Sequence, residues 1–257
     1  MRLSIVTAVW NRAGTVGEAM DSLQRQTYPL REHLVQDGGS TDGTLDIIRA
    51  RADADTRLET ARDGGIYDAL NRGIARATGD VVGLLHSDDL FAHEGVLSRV
   101  AAAFADPSVD GVYGDLEYVA QDDPARVIRY WRSGAYRPER LRRGWMPPHP
   151  TLFLRREVFA RHGAYDTDFR IAADYEAILR WLTRADLRLA YIPEVLVRMR
   201  IGGESNRSLG RILRKSREDL RAIRRHGLGG IGVLAAKNLS KVGQFLRRDP
   251  GMAPKER

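Results

Sequence analysis

The chain has no cysteine in 257 residues. Disulfides, thiolate metal sites and cysteine nucleophiles are therefore excluded, and any chemistry runs on oxygen and nitrogen side chains. A long apolar run is also missing, since no stretch approaches the roughly 20 residues of a membrane span. The amino terminus enters a strand-like segment at residues 3–9 without a charged leader and cleavable apolar stretch. The expectation is a cytoplasmic chain without a secretory signal. Aromatics are scarce where cations are dense. Residues 208–257 hold 13 Lys/Arg against 4 Asp/Glu and a single aromatic, Phe245, whereas residues 1–207 hold 28 against 30. The net charge of +7 thus sits in the tail. Without interleaved aromatics or a recognised motif, no nucleic-acid partner is expected. The basic tail suits an anionic membrane surface, peripheral on the inner face, or else a solvated helical face.

What is present first is alternation. Residues 3–9, 33–36, 58–60 and 81–85 read as strands. Between them, helices are expected from a capping box at Thr15–Glu18 through Leu23, over 45–52, and over 66–77 with Ile66, Leu70, Ile74 and Ala77 on one face. This order predicts an α/β fold, its mostly parallel central sheet flanked by helices. A second half is less regular. It has a strand at 109–118 around Asp115, a long Arg- and Pro-rich loop over 122–150, helices at 93–104, 157–162 and 174–183, and strands at 151–154 and 187–192. Two amphipathic helices are expected over 208–225 and 231–247. Leu209, Ile212, Leu213, Leu220 and Ile223 form the stripe of the first.

Three polar clusters fall at strand ends, where open α/β sheets bind ligands: Thr7–Asn11, Asp37-Gly38-Gly39-Ser40 and Ser87-Asp88-Asp89. The glycines allow close ligand approach, and Asp37 can accept from a base or a ribose; a plain turn with an N-cap uses the same residues. Adjacent carboxylates at Asp88 and Asp89 repel each other, and Mg2+ or Mn2+ resolves that repulsion while keeping sites for phosphate oxygens. Asp174 follows Ala172-Ala173 at a helix start. Desolvation would raise its pKa and the helix end would lower it, so its basicity stays open at this point. His149 lies between two prolines, and Trp145 and Trp131 can stack on an acceptor or pack in the core. The arginines of 137–143 can meet an acceptor phosphate or solvent. A metal site and a distant carboxylate together suit group transfer from an activated diphosphate to a hydroxyl.

These segments in this order resemble the family 2 glycosyltransferases of the GT-A nucleotide-diphospho-sugar transferase fold. The carriers are Ser4-Ile5-Val6-Thr7, Asp37-Gly38-Gly39-Ser40-Thr41-Asp42-Gly43-Thr44, the run Asp63-Gly64-Gly65-Ile66-Tyr67-Asp68 continued by Ala69-Leu70-Asn71-Arg72-Gly73-Ile74, Gly79-Asp80, Ser87-Asp88-Asp89 and Ala173-Asp174. The likeness spans residues 1–206 and is greatest to the bacterial branch making polysaccharide or glycolipid. It implies an inverting transferase, taking a nucleoside-diphosphate-sugar donor and a saccharide or lipid-linked acceptor. Thr7, Asp37 and Asp63 would hold the nucleoside. Val9, Gly38, Asn71, Ser87 and Asp88 complete the donor site, Asp88 and Asp89 the metal site. Asp174 would be the base, with His149 and Trp145 toward the acceptor. Departures are Gly38 where the family often has a second carboxylate, His86 where Asp or Asn is common, and Ala173 where an acid is common. Residues 207–257 lie beyond the likeness as a basic amphipathic helical extension. The alternative reading is a non-catalytic nucleotide-sugar-binding scaffold subunit. Nucleotidyl transfer lacks its arginine- and glycine-rich phosphate loop near the start of the chain.

Overall fold

The computed structural model describes residues 1–184, 187–201 and 209–240. At its centre β1 (Leu3–Val9) lies between β2 (Arg31–Asp37) and β4 (Val81–Leu84), both parallel to it, and β3 (Thr56–Thr60) extends the sheet beyond β2. All seven residues of β1 are buried. A strand covered on both faces reads as a continuous apolar run, which is why this half is visible in the sequence. The crossovers are α1 (Val16–Gln24), α2 (Thr44–Arg51) and α3 (Ile66–Ala75). Helix α3 buries Ala69, Leu70, Gly73 and Ile74. A methyl group on Gly73 would come within 2.4 Å of Val6, so the glycine lets helix and sheet touch.

Beyond β4 the sheet changes character. β8 (Phe153–Arg155) pairs antiparallel with β4 and with β6 (Gly111–Val119), and β6 runs parallel to β9 (Leu189–Arg200). β5 (Leu90–Phe91) closes that edge, and β7 (Val127–Trp131) forms an antiparallel hairpin with β6. Helices α4 (Val96–Ala103), α5 (Arg156–His162), α6 (Ala173–Arg184), α7 (Leu209–Arg225) and α8 (Ile231–Ser240) complete the chain. Most of the paired ladder is parallel, as expected.

Three expectations are corrected. The capping box does not form: Thr15 makes no side-chain cap, and Glu18 reaches the Arg200 guanidinium at 2.5 Å. The 122–150 segment is not one loop, because it holds β7 and a 3-10 turn at Pro138–Arg143. The hairpin is pinned by buried Asp115, which accepts from Tyr130 Oη, Ser133 N at 2.8 Å and Tyr191 Oη at 2.8 Å. The last strand passes 192 and continues to Arg200. Pro193 does not stop it, since the register jumps from Tyr113↔Tyr191 to Asp115↔Val195 and the proline sits in that irregularity.

The basic helices do not stand apart in the described residues. Ala222, Ile223, Leu228 and Val233 belong to the same core as α6 and α3. The expected apolar stripe is covered only in part: Ile223 is buried, whereas Ile212 and Leu213 are exposed. The expected boundary at 206/207 and the helix beyond 240 lie outside the described residues.

Candidate active site

A cleft of about 1160 Å³ opens beyond the carboxyl ends of β1 and β4. Its first wall carries Val9 and Trp10 from the end of β1, Asp63, Gly65 and Ile66 before α3, and Ser87, Asp88 and Asp89 after β4. This wall is held by turn chemistry. The Asp37 carboxylate accepts from the backbone N–H groups of Gly39 at 2.9 Å and Ser40 at 3.0 Å. Asn11, at φ 50°, donates its N–H to Ser40 Oγ and accepts from Thr41 N through its Oδ1. Asp42 accepts from Ala13 N at 3.1 Å and Thr44 N at 3.1 Å. Gly38 faces Asp63 so closely that an added Cβ would lie 2.6 Å from its Oδ2, so any side chain at 38 would push the Asp63 carboxylate aside.

Not every residue read as donor-binding reaches the cleft. Thr7 is buried, donates to Leu85 O at 2.7 Å and meets His33 Nε2 at 2.9 Å. Asp37 is likewise spent on its loop. Asn71 gives Nδ2–H to Tyr165 O and accepts Tyr165 N, both at about hydrogen-bond length (2.8 and 2.9 Å). Tyr165 in turn meets His149 Nε2 at 2.8 Å. Asn71 is therefore a positioning residue for the Tyr165–His149 pair, and His149 lines the cleft.

The Asp88–Asp89 pair fits a divalent cation in part. Asp89 is buried, and its Oδ2 has no hydrogen-bond partner among the described residues. Burial and the neighbouring Asp88 push its carboxyl well above the usual range, against the opposing pull of Arg200. Arg200 also donates to Asp88 O at 3.2 Å. A cation would relieve both the orphaned oxygen and the like-charge repulsion. Among the described residues no group of three or more acids and histidines forms a complete cage. The remaining ligands would be water and phosphate oxygens, as hard cations such as Mg2+ accept.

Asp174 stands in the first turn of α6 and lines the same cleft. Tyr67 Oη lies 3.2 Å from its Oδ1 and 2.9 Å from Ile171 O. Burial raises the Asp174 pKa, but His149, Lys215, Lys237 and the Tyr175 N–H lower it and prevail. Burial holds His149 itself down to about 4 and lowers His86, 5.7 Å away ring to ring. At neutral pH His149 is therefore uncharged and the Asp174 carboxylate is ionised.

The share of α7 and α8 in the second wall was not foreseen. Glu218 on α7 accepts the backbone N–H groups of Ile171 at 2.8 Å and Ala172 at 2.9 Å, fixing the turn that delivers Asp174. Its neighbour Asp219 is buried and paired with Lys215 at 3.1 Å and Lys237 at 2.7 Å. Lys237 also lies 3.2 Å over the Tyr175 ring. Glu176 is paired with His226 at 2.9 Å, tying α6 to the end of α7. Arg211, Arg214, Lys215 and Lys237 all line the cleft. The available signal was small: within 208–248, Glu218 and Asp219 are the sole acids, one turn after Arg214 and Lys215. Trp145 and Trp131 also line the cleft; Trp145 donates Nε1–H to Ser133 O at 2.9 Å and stacks on Tyr136.

The Glycosyl transferase family 2 model matches residues 4–163. A PGL/p-HBAD biosynthesis glycosyltransferase of Mycobacterium bovis is 35% identical over 209 residues, covering 79% of this chain and 78% of the relative. An uncharacterized glycosyltransferase of Mycobacterium tuberculosis is 33% identical over 183 residues, 69% of this chain and 68% of its own. Among solved structures, the Pyrobaculum calidifontis mannosyltransferase in complex with GDP-Man and Mn2+ has a TM-score of 0.67 at 22% identity, covering 92% of this chain and 68% of that one. S. aureus TarS in complex with UDP-GlcNAc gives 0.64 at 20% identity, over 96% and 72%. The structural likenesses show the GT-A fold.

Proposed function

The chain belongs to glycosyl transferase family 2, and on that premise we propose that its cleft moves a sugar from a nucleoside-diphosphate-sugar to an acceptor hydroxyl with inversion. The observation that carries this reading is one cleft with two kinds of carboxylate: the Asp88–Asp89 pair on one wall, and Asp174 on the other. Solved neighbours bound to GDP-Man with Mn2+ and to UDP-GlcNAc support a nucleotide-sugar donor. The base and ribose would lie along Val9, Trp10 and Asp63. The diphosphate would lie toward Ser87 and Asp88. A divalent cation held by Asp88 and Asp89 would supply charge neutralisation for the leaving diphosphate.

The acceptor oxygen then attacks the anomeric carbon from the face opposite the diphosphate. Its bond to that carbon forms as the carbon–oxygen bond to phosphate breaks, and the electron pair leaves with the nucleoside diphosphate. The hydroxyl proton passes to Asp174. A carboxylate with a lowered pKa is a weak base for a resting alcohol, but it is always ionised at neutral pH. The proton becomes acidic as the oxygen bonds to carbon, which suits transfer late in the step. Tyr67 and the Glu218-held turn fix the carboxylate, and fixed geometry supplies much of such a rate gain.

The acceptor we favour is a glycolipid or growing polysaccharide, in line with the biosynthetic relative. No helix among the described residues is long and apolar enough to cross a membrane. Exposed Ile212 and Leu213 stand on the basic helix α7 and exposed Ile231 and Leu239 on α8, and we place the enzyme peripherally on an anionic inner membrane face through them. The test is a panel of nucleotide sugars with Mg2+ or Mn2+. Metal-dependent release of one nucleoside diphosphate, abolished by chelation, is the expected result. Nucleotide binding without release for every donor and acceptor tried would instead make this a scaffold subunit.

A further inference from the structure

We propose that the second wall is an anion subsite, and that the acceptor carries a phosphate next to its sugar or lipid group. The inference rests on the transferase reading of the cleft and deepens it. Arg143, Arg170 and Arg214 are exposed along the cleft, and their side chains make no hydrogen bond or ion pair among the described residues. They come from three separate segments that the fold gathers. Arg143 ends the 3-10 turn whose next residue, Gly144, packs against the Lys237 backbone, a Cβ there falling 2.5 Å from its Cα. Arg170 precedes Ile171, whose N–H is held by Glu218. Arg214 lies one helical turn before Glu218, on the face that also carries Arg211 and Lys215 into the cleft.

The nearby acids do not neutralise this group. Glu218 is engaged by two backbone N–H groups, and Asp219 already serves Lys215 and Lys237. Arginines that line one cleft and are engaged by no carboxylate among the described residues suit phosphate, which their planar forks bind bidentately. A neutral sugar would leave that repulsion standing.

The position decides which substrate owns the phosphate. The donor-side groups come from elements before residue 90, around Asp63 and Asp88. Arg170 lies four residues before Asp174, Arg214 one turn before the Glu218 that holds the Asp174 turn, and Arg143 beside the Gly144–Lys237 contact, and an attacking hydroxyl has to reach Asp174. The molecule bearing that hydroxyl therefore lies along this wall.

The test is calorimetric titration of the full chain, saturated with the nucleoside diphosphate found in the donor screen. The probes are octyl phosphate and glucose 1-phosphate, with octanol and glucose as uncharged controls. A phosphate probe should bind beside the nucleotide. It should bind at least about tenfold more weakly to the triple variant R143Q/R170Q/R214Q, as expected for losing charge-assisted hydrogen bonds. The variant should keep wild-type nucleotide affinity. Binding of octyl phosphate alone would assign the phosphate to a lipid, and binding of glucose 1-phosphate alone to a soluble carrier. Equal binding of probes and controls would overturn the proposal. So would phosphates that simply displace the nucleotide, or weakened nucleotide binding in the variant, since the arginines would then serve the donor. If the wild type bound no nucleotide at all, the transferase reading would fail first and separately.

Discussion

The two walls of the cleft are built by opposite means. The wall at the ends of β1 and β4 is made of short turns, tied by carboxylates that accept from backbone N–H groups a few residues away or on the adjoining loop. The wall made by α6, α7 and α8 is tied by charged side chains that join one helix to the next element, such as Glu218 on Ile171 and Lys237 on Asp219. The first wall is acidic at its floor and the second is cationic. Such a division suits a reaction in which a cation-bridged diphosphate departs on one side and a held acceptor attacks from the other. It also means that the proposed chemistry leans on helices that look, in sequence, like a detachable tail.

Breaking each wall separately should give different kinetic signatures. On the first wall, Asp89→Asn removes the proposed cation ligand while keeping the side chain's size. Turnover should fall by roughly 10²-fold or more, and raised Mn2+ should recover part of it, if the cation stabilises the leaving diphosphate. An unchanged metal dependence would remove Asp89 from the metal site. Also on the first wall, Gly38→Ala forces Asp63 aside. Its backbone angle is not strained, so the fold should persist while the donor KM rises by about tenfold, the cost of one displaced polar contact.

On the second wall, Glu218→Gln keeps the shape but drops the charge that holds the Asp174 turn. The kcat should fall by about tenfold with the donor KM unchanged, because a charge-assisted hydrogen bond is roughly twice as strong as a neutral one. A change in donor KM alone would show that the two walls are not separable in this way. The last prediction concerns two buried histidines, one of them at the cleft. His33 and His149 are both held down to about 4 by burial. Their folded pKa values lie below the unfolded 6.5, so the stability they contribute is full above pH 6.5 and is lost as pH falls toward 4. Urea unfolding at pH 5 should show each costing about 2 kcal/mol relative to pH 7. A flat profile between those values would mean that the rings are not buried neutral.

The strand–helix alternation of the first half and its three strand-end clusters were legible because local rules produce them. Apolar runs mark covered strands, and glycine–aspartate turns mark their ends. The roles of single residues were less legible. Thr7 and Asn71 sit inside the expected motifs, yet the fold spends them on Leu85 and on Tyr165. Residue order does not say which polar atoms face the cleft and which satisfy the interior. The strand expected to end at 192 runs on past Pro193 because the bulge that tolerates the proline depends on pairing with β6, some 80 residues earlier. The share of α7 and α8 in the second wall was illegible for the same reason, since an arginine-rich helix has one composition whether it faces solvent or a substrate.

The account stands most directly on Asp174, so the decisive measurement is transfer and donor binding by Asp174→Asn at pH 7. The amide keeps the size and the Tyr67 contact but cannot take the proton. Transfer should drop by roughly 10³-fold with donor affinity within a factor of about two of wild type, as for removal of a general base. Transfer at near wild-type rate would contradict the account and move the base elsewhere in the cleft.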